Sequence, residues 1–274
     1  MCMIDLAVVD IQNTKLFIGL DKEKQRQITI YSNEVNNISK KNTMILPVPF
    51  PSTVKFHNLS GYKDIFDDCS KCFSVSSATL GSTYGTSLGS SGKLKVFSVG
   101  SYRASLAMKL SDLDNVDRSL FSISLDMKKV LNKYYGNSFG FIICCLEDGD
   151  VKYHPFAYSH KITGKVFIPT RHYHVHSPDG NPYGFYGADG TMNTPSSLGD
   201  AKYGDWDHQI YLYNVSPNSN ISQMEDDDYT FKWNGKNNID VKRLDGFNLD
   251  FNCRNFSKVN ITGKKINSDL ILNA

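Results

Sequence analysis

Apolar residues along this chain alternate with polar ones at a period of two far more often than they recur at helical spacing. Lys15-Leu16-Phe17-Ile18-Gly19-Leu20 and Gln27-Ile28-Thr29-Ile30-Tyr31 flank the charged connection Asp21 to Arg26 and predict a hairpin. Thr43 to Pro49 continues as an extended segment whose prolines favour a sheet edge or exit, and Val54 to His57 predicts a short strand. Lys93 to Val99 and Tyr102 to Leu110 predict strands around Gly100-Ser101. Phe139 to Leu146 is apolar on both faces, as a central strand would be, and Asp148-Gly149 predicts a turn into a partner over Val151 to Tyr158. Lys165 to His176, Trp206 to Val215, Tyr229 to Trp233 and parts of Ile239 to Leu272 complete the strand pattern.

Two segments break that period. Tyr62, Ile65, Phe66, Cys69 and Phe73 fall at helical spacing behind Ser60 as an N-cap, predicting a helix over 61–73. Ser124, Asp126, the apolar Met127, Val130, Leu131 and Tyr134, and the stop at Gly136 predict a second. Many strands, two helices and no regular β-α alternation give an α+β fold dominated by antiparallel sheet. We read residues 1–274 as a single α+β domain with a flexible Ser/Gly-rich loop at 74–92 and a long Gly/Pro/Asn-rich loop at 177–204. No repeat recurs at a constant period.

Composition narrows the function classes. Forty per cent hydrophobic and 12% aromatic residues exclude a wholly disordered chain. A formal charge of +2 without a long basic run does not favour nucleic acid. The opening Met1 to Asp10 lacks a basic n-region and reads as a first strand, not a signal peptide; no apolar stretch reaches the ~18 residues of a membrane span. Six cysteines, with Cys144 and Cys145 adjacent, fit a reducing compartment, and we expect a cytoplasmic protein. Abundant Asn, Lys and Ile point to an AT-rich genome, such as that of a protist or of a large DNA virus infecting one.

Candidate chemistry concentrates at Arg171-His172-Tyr173-His174-Val175-His176, which holds three of the seven histidines, with His208 following in Asp205-Trp206-Asp207-His208. Same-face residues of a strand are ~6.6 Å apart at Cα, a gap two imidazoles can bridge to one ion, with a third ligand from a neighbouring strand. If the two strands pair across 177–204, His172, His174 and His208 converge at one end of the core. The alternative is that these histidines only satisfy hydrogen bonds at a strand end. His-x-His families fit poorly: Ser177 stands where a metallo-β-lactamase-like motif needs its Asp-His pair, and no Glu lies between 177 and 204, where a cupin would need one. Cys69-Ser70-Lys71-Cys72 has redox spacing, but Cys69 falls on the apolar face of the first helix. Glu225-Asp226-Asp227-Asp228 reads as a solvated turn, and Tyr183, Phe185, Tyr186 and Tyr203 interleave with glycines in the long loop.

The order of short motifs, from Asn13-Thr14, Tyr31-Ser32 and Met44 to Pro47 through Gly100-Ser101-Tyr102, Ala104-Ser105, Gly140-Phe141, His154 to Ala157, Pro169-Thr170, His172, His174, Asp207-His208 and Tyr211, resembles a family of uncharacterised proteins known from bacterial genomes. The resemblance names no activity. It implies that His154, His172, His174 and His208 are the family's histidines and that His176 is a local addition. The expectation is therefore a metal site, zinc foremost, built by His172, His174 and His208, with His154 or Asp207 as a further ligand or supporting group. If it is catalytic, metal-assisted hydrolysis would follow, with Asp207 or Asp205 as base. The alternative is a non-enzymatic structural or interaction protein, such as a virion component. The partner is an unidentified small molecule or protein.

Overall fold

The computed structural model describes residues 3–59, 62–71, 73, 94–99, 102–174, 185–186, 192–193, 203–215, 229–233 and 256–274. In chain order the strands are β1 (Met3–Ile4), β2 (Val8–Asp21), β3 (Arg26–Asn37), β4 (Thr43–Pro49) and β5 (Lys55–His57), followed by helix α1 (Ile65–Lys71). Then come β6 (Val96–Val99), β7 (Tyr102–Ala107), helix α2 (Leu125–Tyr134), β8 (Phe139–Cys145), β9 (Gly149–Lys152), β10 (Phe156–Lys161) and β11 (Lys165–Ile168). The remainder is β12 (Phe185–Tyr186), β13 (Met192–Asn193), β14 (Tyr203–Tyr213), β15 (Tyr229–Trp233), β16 (Phe256–Ile266) and β17 (Leu270–Asn273). The α+β class, mostly antiparallel, is the fold observed; β14 runs parallel to β2.

A long sheet in the order β15-β16-β14-β2-β3-β10-β5 packs one face on a second sheet ordered β1-β4-β8-β7-β6. Strand parity explains how one sheet buries two faces. In the β2–β3 hairpin Leu16 lies opposite Tyr31 and both enter the inter-sheet core, while the next pair, Phe17 and Ile30, enters a second core on the reverse face. The inter-sheet core takes Ile210 and Leu212 from β14, Val259 and Ile261 from β16, and Met127, Val130 and Leu131 from α2. The reverse face is covered by Tyr62, Ile65, Phe66 and Cys69 around α1, packed on Phe17, Ile28, Tyr211, Tyr213 and Phe256. Full burial of such an apolar side chain stabilises by about 1.5–3 kcal/mol. Ser70 Oγ and Tyr211 OH, 2.6 Å apart, fix α1 at its polar margin.

The ends of α2 follow the sequence signals. Ser124 Oγ accepts from Met127 N at 3.1 Å, and the buried Asp5 carboxylate accepts from Ser124 N and Oγ, placing negative charge at the helix N-terminus. Gly136, at φ +52°, takes the left-handed conformation that ends the helix.

Several expectations are revised. The first helix runs Ile65–Lys71, and its expected cap, Ser60, lies outside the described residues. The strand from Tyr102 stops at Ala107, and Leu110–Asn115 is a 3-10 helix. The segment after Asp148-Gly149 does not fold back on β8. It crosses to the other sheet, where β9 and β10 both pair with β3. Prolines 47 and 49 sit inside the second sheet, beside β8, but β1 pairs only with Met44 and Ile45, so both lie beyond its reach. The histidine strand ends at Ile168, pairs with β17, and does not pair with β14. The expected loop at 74–92 lies outside the described residues, whereas 177–204 contains the small β12–β13 hairpin and the start of β14.

Gly140 marks the closest approach between β8 and its surroundings. A Cβ there would meet the Pro51 ring and come within 2.6 Å of the Ala107 carbonyl oxygen, a backbone atom that cannot yield easily. Gly140→Ala should therefore cost about 1–3 kcal/mol, measured as a lowered urea midpoint; an unchanged midpoint would show that the strand can shift without cost.

Candidate functional site

Pro169 ends the β11 ladder because it has no N–H to donate, and side chains then take over as partners for the backbone of residues 170–172. Asp269 Oδ1 accepts from Thr170 N (2.8 Å) and Arg171 N (3.0 Å), while its Oδ2 accepts from Tyr135 OH at 2.7 Å. Asn267 accepts from His172 N at 2.7 Å and donates to His172 O at 2.8 Å, imitating a strand partner. Thr170 Oγ1 donates to Ser268 O and accepts from Leu270 N. The Arg171 guanidinium lies 3.6 Å from the Tyr134 ring centre, and Ile4 N donates to Tyr173 O at 2.7 Å. The residues before β17 thus form a clamp that fixes Thr170 to His172.

This clamp brings three of the sequence-predicted histidines together. The His172 ring lies 5.1 Å from His208, edge to face, and 5.9 Å from His174. His208 reaches the cluster from β14 on the inter-sheet face, buried, at the register position of Thr14. Burial, with His174 nearby, holds the His172 imidazole well below the ordinary histidine range, so it is neutral near pH 7. Neutral imidazole is the ligand form for a divalent ion. Among the described residues, however, no group of three or more His, Cys, Asp or Glu is placed to hold a metal ion.

The other candidates lie elsewhere. His154 donates from Nδ1 to Pro155 O at 2.9 Å, and Leu59, Lys63 and Asp64 surround it on the α1 side. Asp207 is exposed on the opposite face of β14 from His208, and its Oδ2 accepts from Asn13 N at 2.9 Å. That bond supports a bulge in β2, where Asn13 has φ 53° and the register against β3 shifts. Asp205 lies on β14, and its side chain is outside the described residues, as are His176, Cys72, Tyr183 and Glu225 to Asp228. Cys69 is buried in the α1 core. Asp269 and Asn267 were missed because their partners lie far away in sequence and neither belongs to a recognisable motif. Burial raises the Asp269 carboxyl, while the bonds from Tyr135, Arg171 and Thr170 draw it back down.

No protein-family model matches the chain. Its fold is similar to that of baculovirus P35, with a TM-score of 0.51 and 12% sequence identity over 100% of this chain and 99% of that one. Two further structures resemble it at lower scores: a mutated baculovirus P35 after caspase cleavage (TM-score 0.47, 14% identity, 97% and 98% covered) and P35 in the caspase-8/P35 complex (0.45, 11%, 97% and 97%). At these identities the likeness is one of fold. The neighbours are viral proteins, in keeping with the viral source that the composition allowed; they show no bacterial relationship.

His160 provides the clearest electrostatic consequence of this packing. Its Nδ1 donates to Lys161 O at 2.8 Å, so the proton resides there and Nε2 is left as a buried acceptor with no hydrogen-bond partner among the described residues. Burial pushes the imidazole down to about 4. Because the unfolded side chain protonates near 6.5 and the folded one near 4, this contribution to stability is complete above pH 6.5 and is lost as pH falls from 6.5 to 4, by up to about 1.4 kcal/mol per pH unit. His57, His154 and His172, all lowered by burial, act in the same direction, whereas Asp5 and Asp269, raised by burial, act against it. His160→Gln should therefore flatten the decline of the urea midpoint between pH 7 and 5; parallel wild-type and variant curves would contradict this.

Proposed function

We propose that this chain is a non-enzymatic interaction protein of viral origin, acting in the host cytoplasm, and that its partner is a protease of the caspase class. The observation that carries this reading is a fold shared with P35 along the whole chain, because P35 is a protein recorded in complex with caspase-8 and after caspase cleavage. The buried Cys144 and Cys145 form no disulfide, which suits a reducing compartment. The exposed side of β14 supports the same preference over hydrolysis, since Asp207 is engaged with Asn13 and faces away from the histidines. Among the described residues, no helix is long and apolar enough to cross a membrane. Purified chain in molar excess over active caspase-8 should co-elute with it on size exclusion and slow hydrolysis of an aspartyl reporter peptide. Separate elution with an unchanged rate would reject the reading.

A second reading is that His172, His174 and His208, which as they stand are not placed to hold an ion together, close around a divalent ion, zinc foremost. Two imidazoles on one tetrahedral zinc have ring centres roughly 5 Å apart, and the His172–His208 separation of 5.1 Å matches this. Purified wild type should then carry stoichiometric zinc by elemental analysis, and His174→Ala should lose it. Equal, sub-stoichiometric metal in both proteins would reject the site.

A further inference from the structure

We propose that Arg26, Lys55 and Lys161 form a binding site for a phosphate monoester dianion at the β5 corner of the long sheet, with His57 and Ser159 as its floor. The site is independent of the protease reading and of the histidine cluster. Register brings these residues to one face. Lys161 lies opposite Arg26, Ser159 lies opposite Lys55, and His57 lies opposite Ala157, which with Ile28 and Ile30 faces the α1 core. Strand alternation therefore carries all five side chains to that same side, with directly opposed pairs about 5 Å apart at Cβ.

The fold fixes Arg26 in place. Its Nη2 donates to Thr53 O at 3.0 Å and to Ser159 Oγ at 2.9 Å. The buried Ser159 hydroxyl also lies 2.8 Å from His57 Nε2, so guanidinium and imidazole meet across one oxygen. Among the described residues, Nε and Nη1 of Arg26 have no hydrogen-bond partner, and no carboxylate pairs with Arg26, Lys55 or Lys161. Asp21, opposite Arg26 in the β2–β3 pair, instead accepts from Lys24 N at 3.0 Å and lies 3.5 Å from Lys24 Nζ. The imbalance is felt at His57, whose imidazole is held below the ordinary range by burial first and then by Arg26 and Lys55.

Lysines alone at the edge of a sheet would serve only to discourage pairing with another chain. A half-buried guanidinium held on a buried hydroxyl, with two ammonium groups beside it and no acid bound to any of them, is a different arrangement. It keeps an unused fork of donors at a corner where three cations meet. A carboxylate offers one charge and two oxygens, and would leave most of that charge unmatched. A phosphate monoester carries close to two charges near pH 7 and three acceptor oxygens, enough for the guanidinium and both ammonium groups. Lys55 and Lys161 are exposed and reach such a ligand on flexible stems, so the site is open to solvent. Free inorganic phosphate and a phosphorylated side chain of a protein present the same oxygens, and the test separates them.

The test titrates the full-length chain, by calorimetry at low salt, with inorganic phosphate, with a short phosphoserine peptide and with the same peptide carrying glutamate in place of phosphoserine. Wild type should bind phosphate, and sulfate should compete for the site. The double variant Lys55→Gln/Lys161→Gln, at two exposed positions, and Arg26→Gln should each lower affinity about 10-fold or more with an unchanged thermal melt. Lys40→Gln, elsewhere on the surface, should bind as wild type. Should Arg26→Gln unfold, the double lysine variant alone decides. Tighter binding of the phosphopeptide than of phosphate supports the site and assigns it to a phosphorylated protein; equal or weaker peptide binding supports it as a site for free phosphate. Three results overturn it: no binding of either ligand by wild type at millimolar concentration, equal affinities of the double lysine and Lys40→Gln variants, or a glutamate peptide that binds as tightly as the phosphopeptide.

Discussion

The requirement that one long sheet be covered on both faces organises this molecule. β2 and β3 carry apolar side chains at successive positions, so neither face can be left to water. One face is closed by an entire second sheet with α2, the other by the short α1 and the segment before it. The order of strands follows from that need. The chain must leave the long sheet after β3, build β4 of the covering sheet, return through β5, and cross again before β6. The same demand sends the chain from β8 to β9 across the sheets instead of into a tight hairpin.

Local order was legible in the sequence wherever a short-range rule decides it. The β2–β3 hairpin, the Ser124 cap and the Gly136 stop each depend on residues within one turn of each other. Pairing between distant strands carries no such signature. β14 lies parallel to β2 across most of the chain, and nothing in either sequence specifies that register. The turn at Asp148-Gly149 was visible, yet a turn signal says only that the chain reverses and not which strand receives it. The histidine segment shows the same limit. Its alternation resembles a strand through His176, but Pro169 ends the ladder and the side chains of Asn267 and Asp269 replace it.

Convergence of His172, His174 and His208 thus has a different cause from the one the pattern implied. Two paired strands would have brought them together by register. Instead, a side-chain clamp positions His172 while β14, seated between β2 and β16, positions His208. A half-buried carboxylate or a buried amide of this kind is costly to leave unpaired, and Asp269 avoids that cost through its bonds to Thr170, Arg171 and Tyr135. The clamp therefore serves the fold directly and the cluster only as a consequence.

That order of causes bears on what the cluster can do. A catalytic metal site leaves a coordination position open to water and keeps a proton acceptor beside it, whereas a structural site is closed. Here His208 is fully inside, and the carboxylate next to it in sequence, Asp207, is turned to the other side of β14 by strand alternation. An ion held by these imidazoles would tie the segment after β11 to the centre of the long sheet. It would strengthen the joint that the Asn267 and Asp269 clamp already makes, and would not activate water. The metal reading and the interaction reading are then compatible: the first concerns how the scaffold is held, the second what its surface meets.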